Sequence, residues 1–589
     1  MQEEWRRHGQ TLGQLLKARA DLGGTTPFVT LVDDTMGEVN LSYGDLFDGA
    51  RRTATALLGH GVSTGGRVML GLPTGREFLE TFFGLQLLGA AAVPFYPPAR
   101  KRGLEETTAS LARLIMATDP DLIVVPEALT LPVAAAAHIA RTRAAVVGPC
   151  KLDGHGHLEG ADVSTDQTAL IQFTSGSTRT PRGVPLTHRQ LLQNIEATLR
   201  VVGTREGDVV VSWLPLYHDM GLIGLMLMPL FGGLRLVLMS PQSFLLDPKR
   251  WLHAVDRHRG TISAAPNFAY QLIANRLKDS ELTGLDLSSW RFAGNGAEPV
   301  MTTTLRAFAD RLAPYGFREE ALTPIYGLAE VAVAAAFSPT DRLPRIDRVQ
   351  ARLLEQEGLA QAAPADDAMA RSFVSAGEPL PGYRMRIIGP EGPLAERQLG
   401  ELQIQGPSVM AGYVGPSEAE VPVFDDGWLR TGDLAYMADG ELFVVGRSKD
   451  MVVKAGRKFA PQDLEHLAGE IAGVRRGCVA VFGVADAASG TEKMVVVAET
   501  REAPDRHQDL ARAISLGLSE GLGIRPDHVT LLPPGSLPKT SSGKIQRARC
   551  KESWIQGTLQ PATEPSLWSR TRMVRQALAH RLIRGGTRD

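Results

Sequence analysis

Cysteine is scarce in this chain. Only Cys150, Cys478 and Cys550 occur in 589 residues. They are odd in number and far apart, which excludes a disulfide framework and a cysteine-based zinc site. A reducing, cytoplasmic compartment is the expectation. Net charge is almost missing as well: 63 Lys and Arg against 65 Asp and Glu leave −2. No global field therefore draws the chain to nucleic acid, whose binding rests on neutralising phosphates with basic side chains. A long apolar run is absent too. The best stretch, Gly221 to Met239, is interrupted by Pro229, Gly232, Gly233 and Arg235; it predicts a buried helix followed by a strand, and no membrane span is expected. The first residues, Met1 to His8, lack an apolar signal core, and no internal repeat is visible. What is present is an ordinary globular composition, 43% hydrophobic and 22% charged, in a chain long enough for several domains with large cores. A small ligand is the expected partner.

The segment Phe173-Thr174-Ser175-Gly176-Ser177-Thr178-Arg179-Thr180-Pro181-Arg182-Gly183 interleaves small hydroxyl residues with glycine. That pattern lets backbone N–H and side-chain O–H groups converge on phosphate oxygens, and makes Thr174, Ser175, Gly176, Ser177 and Thr178 candidate nucleotide-binding residues. Ala169 to Phe173 reads as a strand, and Leu186 to Leu192 opens a helical pattern with Thr187 as its N-cap. The loop is therefore expected to bridge a strand and a helix. A Walker loop is excluded: Gly176 lacks Gly-Lys-Ser/Thr at the required spacing, and Ser542-Gly543-Lys544-Ile545 has Pro538 and Ile545 where a glycine and a hydroxyl are needed. Composition alone would fit a plain surface turn better, so the segments downstream decide.

Strand-like runs at Val68 to Leu72, Leu122 to Val125 and Ala144 to Val147 alternate with longer helical patterns such as Glu77 to Leu88, which predicts parallel α/β layering over about the first 440 residues. From Leu380 the texture changes to short strands with turn glycines, an antiparallel element closing at Gly440 to Gly446. After Gly446-Arg447-Ser448-Lys449-Asp450 a smaller α+β unit begins, with helices near Pro461 to Ala472 and Asp505 to Gly521 and strands at Gly477 to Val484 and Lys493 to Thr500.

Five further segments stand in order: Tyr326-Gly327-Leu328-Ala329-Glu330, Thr431-Gly432-Asp433, Gly446-Arg447, Lys454-Ala455-Gly456 and Pro538-Lys539-Thr540-Ser541-Ser542-Gly543-Lys544-Ile545. With the loop they resemble the adenylate-forming superfamily of acyl-CoA synthetases, luciferases and peptide-synthetase adenylation domains, from about Pro27 to Gln556. That family's loop reads Thr-Ser-Gly-Ser/Thr-Thr-Gly-x-Pro-Lys-Gly; here Arg179 stands for Gly and Arg182 for Lys. The resemblance implies ATP and Mg²⁺ as cofactors. It implies that Tyr326, beside Gly327, stacks on adenine, that Glu330 holds the Mg²⁺, and that Asp433, with Arg447 nearby, accepts from ribose hydroxyls. Lys544 is then the main catalytic cation, meeting charge that builds on the carboxylate oxygen and α-phosphate. Taken singly, Glu330 reads as a capped or solvated helix acid, Asp433 as a turn aspartate and Lys544 as a surface lysine. Their shared order favours the site.

A narrower resemblance rests on Tyr96-Pro97-Pro98-Ala99-Arg100, the Arg-Thr-Pro form of the loop, Leu214-Pro215-Leu216-Tyr217-His218-Asp219-Met220-Gly221-Leu222 and Asn295-Gly296-Ala297-Glu298-Pro299. These look like fatty acyl-AMP ligases. The likeness implies that Asn295, Gly296 and Ala297 line the adenine pocket and that His218 lies near the reacting carboxylate. A core-satisfying histidine is the plain alternative, and Asp219 receives no role. That family carries an insertion in its large domain, for which residues 340–371 are the candidate; the Leu353, Leu354, Leu359 spacing permits a short amphipathic helix, and a functionless loop is the alternative.

The expectation is thus a large α/β body (1–448) with a β subdomain, a hinge at Lys449, a small mobile α+β lid (449–556) and a tail (557–589). Arg570, Arg572, Arg575, Arg581, Arg584 and Arg588 suit the tail either for docking an acidic carrier protein or, more plainly, for a solvated helix or linker. The implied reaction converts a fatty acid and Mg-ATP to acyl-AMP and pyrophosphate, then delivers the acyl group to the phosphopantetheine thiol of an acyl carrier protein or of a carrier domain in a polyketide or peptide synthase. The alternatives are a fatty acyl-CoA synthetase and a catalytically silent acyl-AMP-binding or carrier-docking module.

Overall fold

A computed structural model describes residues 11–96, 104–154, 162–173, 181–340, 342–415, 424–454, 456–486, 491–539 and 544–559. Two open sheets carry the large body. In the first, six parallel strands lie in the spatial order Leu322–Tyr326, Phe292–Asn295, Ile262–Ala265, Val209–Ser212, Arg235–Met239 and Pro27–Val32. Antiparallel Glu38–Ser42 borders one edge; Ala336–Phe337 and then Glu378–Pro379 border the other. Runs such as Val209–Ser212 and Ile262–Ala265 are buried at every position, as strands covered on both faces must be. The second sheet orders Ala145–Val147, Leu122–Val124, Arg67–Leu70, Ala91–Pro94 and Thr168–Phe173 in parallel. Parallel layering thus appears where the sequence predicts it.

Gly183–Thr187 completes the second sheet as an antiparallel partner of Thr168–Phe173, and this corrects one expectation. The loop after Phe173 joins two strands of a hairpin; it does not run from strand into helix. Thr187 is nonetheless the N-cap of helix His188–Val202, in a reciprocal capping box with Gln190. Five strand residues thus separate the segment after Phe173 from the helix N-terminus.

The stretch from Gly221 forms a π-helical segment, Met220–Leu227, a short helix, Met228–Gly232, and the strand Arg235–Met239. Among the described residues no helix is long and apolar enough to cross a membrane. Arg384–Gly389, Gly400–Gln405, Trp428–Ala438 and Glu441–Arg447 form the antiparallel β subdomain. Residues 340–371 place the strand Ile346–Val349 against Arg371–Val374 and form the helix Ala351–Glu357. Leu354 of that helix packs with Val349 and Phe373 against Tyr436 and Phe443; Leu359 lies beyond the helix end.

The turn Ser448–Asp450 leads into the small unit. There Val474–Asp486, Thr491–Thr500 and His528–Leu532 form a three-stranded sheet flanked by Pro461–Glu470 and His507–Leu522. This unit holds apolar clusters of its own, built around Val481, Val496 and Ile514 on one side and Ala480, Val497 and Cys550 on the other. The Arg-rich tail lies outside the described residues.

His188 shows how tightly the body is closed. It is fully buried; its Nδ1 accepts the Leu12 N–H at 3.2 Å, and its Nε2 has no partner among the described residues. Burial pushes the imidazole down to about 4 from the ordinary 6.5. The folded ring stays neutral over a range in which the unfolded chain takes up a proton. Stability is therefore fully present above pH 6.5 and lost as pH falls toward 4, by about 3 kcal/mol for this one group. His188→Asn, which keeps an acceptor, should flatten that part of the stability–pH curve in urea unfolding between pH 7 and 5. An unchanged slope would remove His188 as its cause.

Candidate active site

In an open parallel sheet, ligands settle at the carboxyl ends of the strands. Phe292–Asn295 ends there on Asn295, Leu322–Tyr326 ends on Tyr326, and Val209–Ser212 runs on to His218 and Asp219. Two of the predicted glycines are required sterically. A Cβ on Gly327 would lie 1.8 Å from the Val333 carbonyl oxygen, and one on Gly296 would lie 2.8 Å from that of Ile325. Ala297 follows with φ at +66°, a strained conformation of the kind kept where the surroundings impose it.

Tyr326, Asp433 and Arg447 form a clamp. The Tyr326 hydroxyl donates to Asp433 Oδ2 at 2.6 Å, and Arg447 Nε meets Oδ1 at 2.7 Å. Asp433 and Arg447 are directly paired on neighbouring antiparallel strands, so the contact follows from register. Burial pushes the Asp433 carboxyl up and Arg447 opposes it; burial and the Asp433 charge push the Tyr326 hydroxyl up, keeping it a donor. Each carboxylate oxygen retains a lone pair for one further donor.

Glu330 stands in the turn Ala329–Val331. Its Oε1 accepts the Tyr413 hydroxyl at 2.6 Å. Behind it, Asn194 donates to the carbonyls of Val331 and Ala334, and Ser408 donates to Val331. Among the described residues no group of three or more metal-ligating side chains exists. A lone carboxylate fits Mg²⁺, which binds one or two carboxylates together with substrate phosphates and water.

His218 Nδ1 lies 2.6 Å from Asp219 Oδ1, an oxygen that also accepts the Met220 N–H and so starts the π-helical segment. Burial would raise the Asp219 carboxyl, but His218 and then Lys544 outweigh it and hold it below the ordinary range. Lys544 also acts on Glu298, a recessed carboxylate that accepts the Phe268 N–H at 2.5 Å and is pushed up by burial. The fold thus brings the small unit's Lys544 to the face formed by Asp219 and Glu298. Gln172, just before the loop, donates to the Tyr217 carbonyl at 2.9 Å and ties the two segments together.

Tyr326, Gly327, Asn295, Gly296, Ala297 and His218 therefore stand at or beyond the carboxyl ends of the first sheet's strands, with Asp433 and Arg447 bonded to Tyr326, Glu330 in the following turn, and Lys544 acting on Asp219 and Glu298. Lys449 lies exposed in the turn Ser448–Asp450, next to Arg447. Thr174, Ser175, Gly176, Ser177 and Thr178 fall outside the described residues. Sequence reasoning missed Glu298, although it stands in a quoted segment, and Tyr413, whose only signal was its place in Ala411-Gly412-Tyr413-Val414-Gly415.

The model of the AMP-binding enzyme family matches residues 21–414. The medium-chain-fatty-acid–acyl-carrier-protein ligase JamA of Moorena producens is 32% identical over 571 residues, covering 93% of this chain and 96% of that protein. The long-chain-fatty-acid–AMP ligase FadD26 of Mycobacterium marinum is 33% identical over 581 residues, covering 92% and 97%. A solved structure from work on fatty acyl-adenylate ligases of E. coli and L. pneumophila superposes with a TM-score of 0.86 at 34% identity, covering 93% of this chain and 98% of that one.

Arg447→Leu should leave the Asp433 carboxylate buried with only the Tyr326 hydroxyl to satisfy it. A loss of about 2 kcal/mol is expected at pH 8. The deficit should shrink toward pH 5, because a carboxyl with a raised folded-state pKa binds its proton more readily when folded. Urea unfolding at the two pH values measures it; equal deficits would assign the lesion to packing.

Proposed function

This chain belongs to the AMP-binding enzyme family as an adenylate-forming fatty acid ligase, and from that premise we propose that it passes the activated acyl group to the phosphopantetheine thiol of an acyl carrier protein and not to CoA. In the first half-reaction the fatty carboxylate attacks the α-phosphorus of ATP in line. One carboxylate oxygen–phosphorus bond forms, the bond to the bridging oxygen breaks, and pyrophosphate carries the charge away. In this reading Tyr326 stacks on adenine along a wall of Asn295, Gly296 and Ala297, and Asp433 accepts from the ribose. Thr174 to Thr178 hold phosphate oxygens, and His218 borders the reacting carboxylate. Glu330 would hold Mg²⁺, which when bound neutralises charge on the phosphates. Lys544 meets the charge developing at the α-phosphate, and the small unit pivots at Lys449.

The observation that carries the adenylating half is the Tyr326–Asp433–Arg447 clamp with Glu330 in the adjoining turn, together with the reach of the Lys544 charge to Asp219 beside His218. Lys544→Ala should leave folding and ATP binding intact while slowing acyl-AMP formation by roughly 10²- to 10³-fold, the scale of one charge-stabilising donor. Single-turnover acyl-AMP formation tests this; a wild-type rate would remove Lys544 from the chemistry.

The acceptor reading is supported by the contact between residues 340–371 and the small unit. Arg457 Nε donates to the buried Glu355 at 2.7 Å, and Arg371 pairs with Asp463. These charges favour one orientation of the small unit over the rotated one that admitting CoA would need. JamA, by its name, uses an acyl carrier protein. The intact protein should give acyl-AMP and acyl-carrier thioester but little acyl-CoA. Deleting residues 340–371 should raise acyl-CoA roughly tenfold, the effect of removing about 1.4 kcal/mol of orientational preference, with calorimetry confirming that the large domain remains folded. Abundant acyl-CoA from the intact protein would promote the CoA synthetase instead.

A further inference from the structure

One short segment touches both halves of the phosphate-handling apparatus. Gly183, at the exit of the phosphate loop, pairs with Val414 through two backbone hydrogen bonds: Gly183 N–H to the Val414 carbonyl at 3.1 Å and Val414 N–H to that of Gly183 at 2.8 Å. The approach is close enough that a Cβ on Gly183 would come within 2.8 Å of both Ile171 and Val414. Four residues earlier, the Met410 N–H donates to the Glu330 carbonyl at 2.8 Å. The same stretch is fastened to the body by Gln190, which donates to the Val409 carbonyl at 2.7 Å, and by Ser408 on Val331. Between these anchors stands Tyr413. Its hydroxyl donates to Glu330 Oε1 at 2.6 Å, and the Arg182 guanidinium lies 5.5 Å from its ring centroid.

We propose that Tyr413 is a positioning residue that sets the Glu330 carboxylate and the Arg182 guanidinium in register with each other, the hydroxyl serving the metal side and the ring serving the phosphate side. The proposal rests on the adenylating reading above. A carboxylate hydrogen-bonded through one oxygen is fixed in rotation, and its other oxygen is presented in one direction. Groups behind a metal ligand commonly govern its affinity in this way. Arg182 stands where the family's loop has lysine. A planar guanidinium can lie on an aromatic face and still present its fork to phosphate, which a lysine ammonium cannot do equally well. Burial and the Glu330 charge push the Tyr413 hydroxyl up, so it remains a donor across the working pH range. The substitution of Arg for Lys in the loop and the tyrosine ring under it are thus two parts of one arrangement.

The two roles separate by substitution. Tyr413→Phe keeps the ring and removes the hydroxyl; Tyr413→Leu removes both. ATP binding is measured by titration calorimetry over a range of Mg²⁺ concentrations without fatty acid, and inorganic pyrophosphate binding is measured in parallel. Thermal unfolding checks the fold. Tyr413→Phe should raise the Mg²⁺ concentration that half-restores tight ATP binding roughly tenfold, with metal-free ATP binding and pyrophosphate binding unchanged. Tyr413→Leu should in addition weaken pyrophosphate roughly fivefold, and Arg182→Gln should then cost less in the Leu background than in the Phe background. The proposal falls if Tyr413→Phe binds Mg-ATP at wild-type Mg²⁺ levels, if it weakens metal-free ATP by the same factor, or if Arg182→Gln costs the same in both backgrounds. A wild-type protein that binds no Mg-ATP would overturn the adenylating reading itself, and this proposal with it.

Discussion

A buried carboxylate must find donors, and the way Asp433 finds them organises this molecule. An unpaired charge at a site 6% exposed would cost several kcal/mol. Tyr326 and Arg447 supply the donors, from a parallel strand of the body and from the last strand before the hinge turn. Tyr326 is 107 positions away in the chain, so the contact fixes how the β subdomain sits on the nine-stranded sheet. Arg447 precedes the turn Ser448–Asp450 directly, so the start of that turn is fixed by the same charge. The seating of the β subdomain and the placement of the small unit therefore share one anchor.

The far side of the small unit is held by charge as well. Glu355 is 1% exposed and Arg371 7%; burial pushes the Glu355 carboxyl up and brings the Arg371 guanidinium down to about 10. Such pairs add little net stability, because desolvation offsets the attraction, yet breaking one strands a buried charge. Their contribution is to orientation. Any rotated arrangement of the small unit must re-solvate or re-pair Glu355 and Arg371, and Arg457 and Asp463 go with them. Within the unit, Arg547 joins Asp450 at 3.3 Å to Glu465 at 2.6 Å, so the residue after Lys449 is tied to the helix Pro461–Glu470, which carries Asp463. A change at the turn is transmitted to the face that meets residues 340–371.

Most of this was legible in the sequence where the signal is local or the motif is dense. The alternation of strands and helices, the cap at Thr187 and the short helix around Leu354 all follow from near-neighbour chemistry, and Tyr326, Glu330, Asp433, Arg447 and Lys544 stood out by their order. Illegible features depend on distant partners. Gly183–Thr187 becomes a strand only by pairing with Thr168–Phe173, so the cap signal at Thr187, correct for the helix His188–Val202, hid the strand that separates loop from helix. Glu298 is defined by the Phe268 N–H and the Lys544 charge, and Tyr413 by Glu330, 83 positions away. Neither relation leaves a mark on its own neighbourhood. Gly327 and Gly296 fall between: the motif predicted them, but only the Val333 and Ile325 carbonyls explain why no side chain fits there.

The cleft also dictates what its ligand must bring. Asp219, Glu298, Glu330 and Asp433 are recessed carboxylates, and among the described residues none belongs to a group of three or more metal-ligating side chains. A single carboxylate attracts a bare divalent cation weakly, and an anionic ligand that brought further oxygens would favour the cation's binding and be favoured by it. Lys544 enters the same balance from the small unit. Its charge lowers the cost of ionising Asp219 and Glu298, and withdrawing it leaves both carboxylates less compensated in a medium that screens poorly. Moving the small unit away thus carries an electrostatic penalty inside the cleft as well as the ionic one at Glu355.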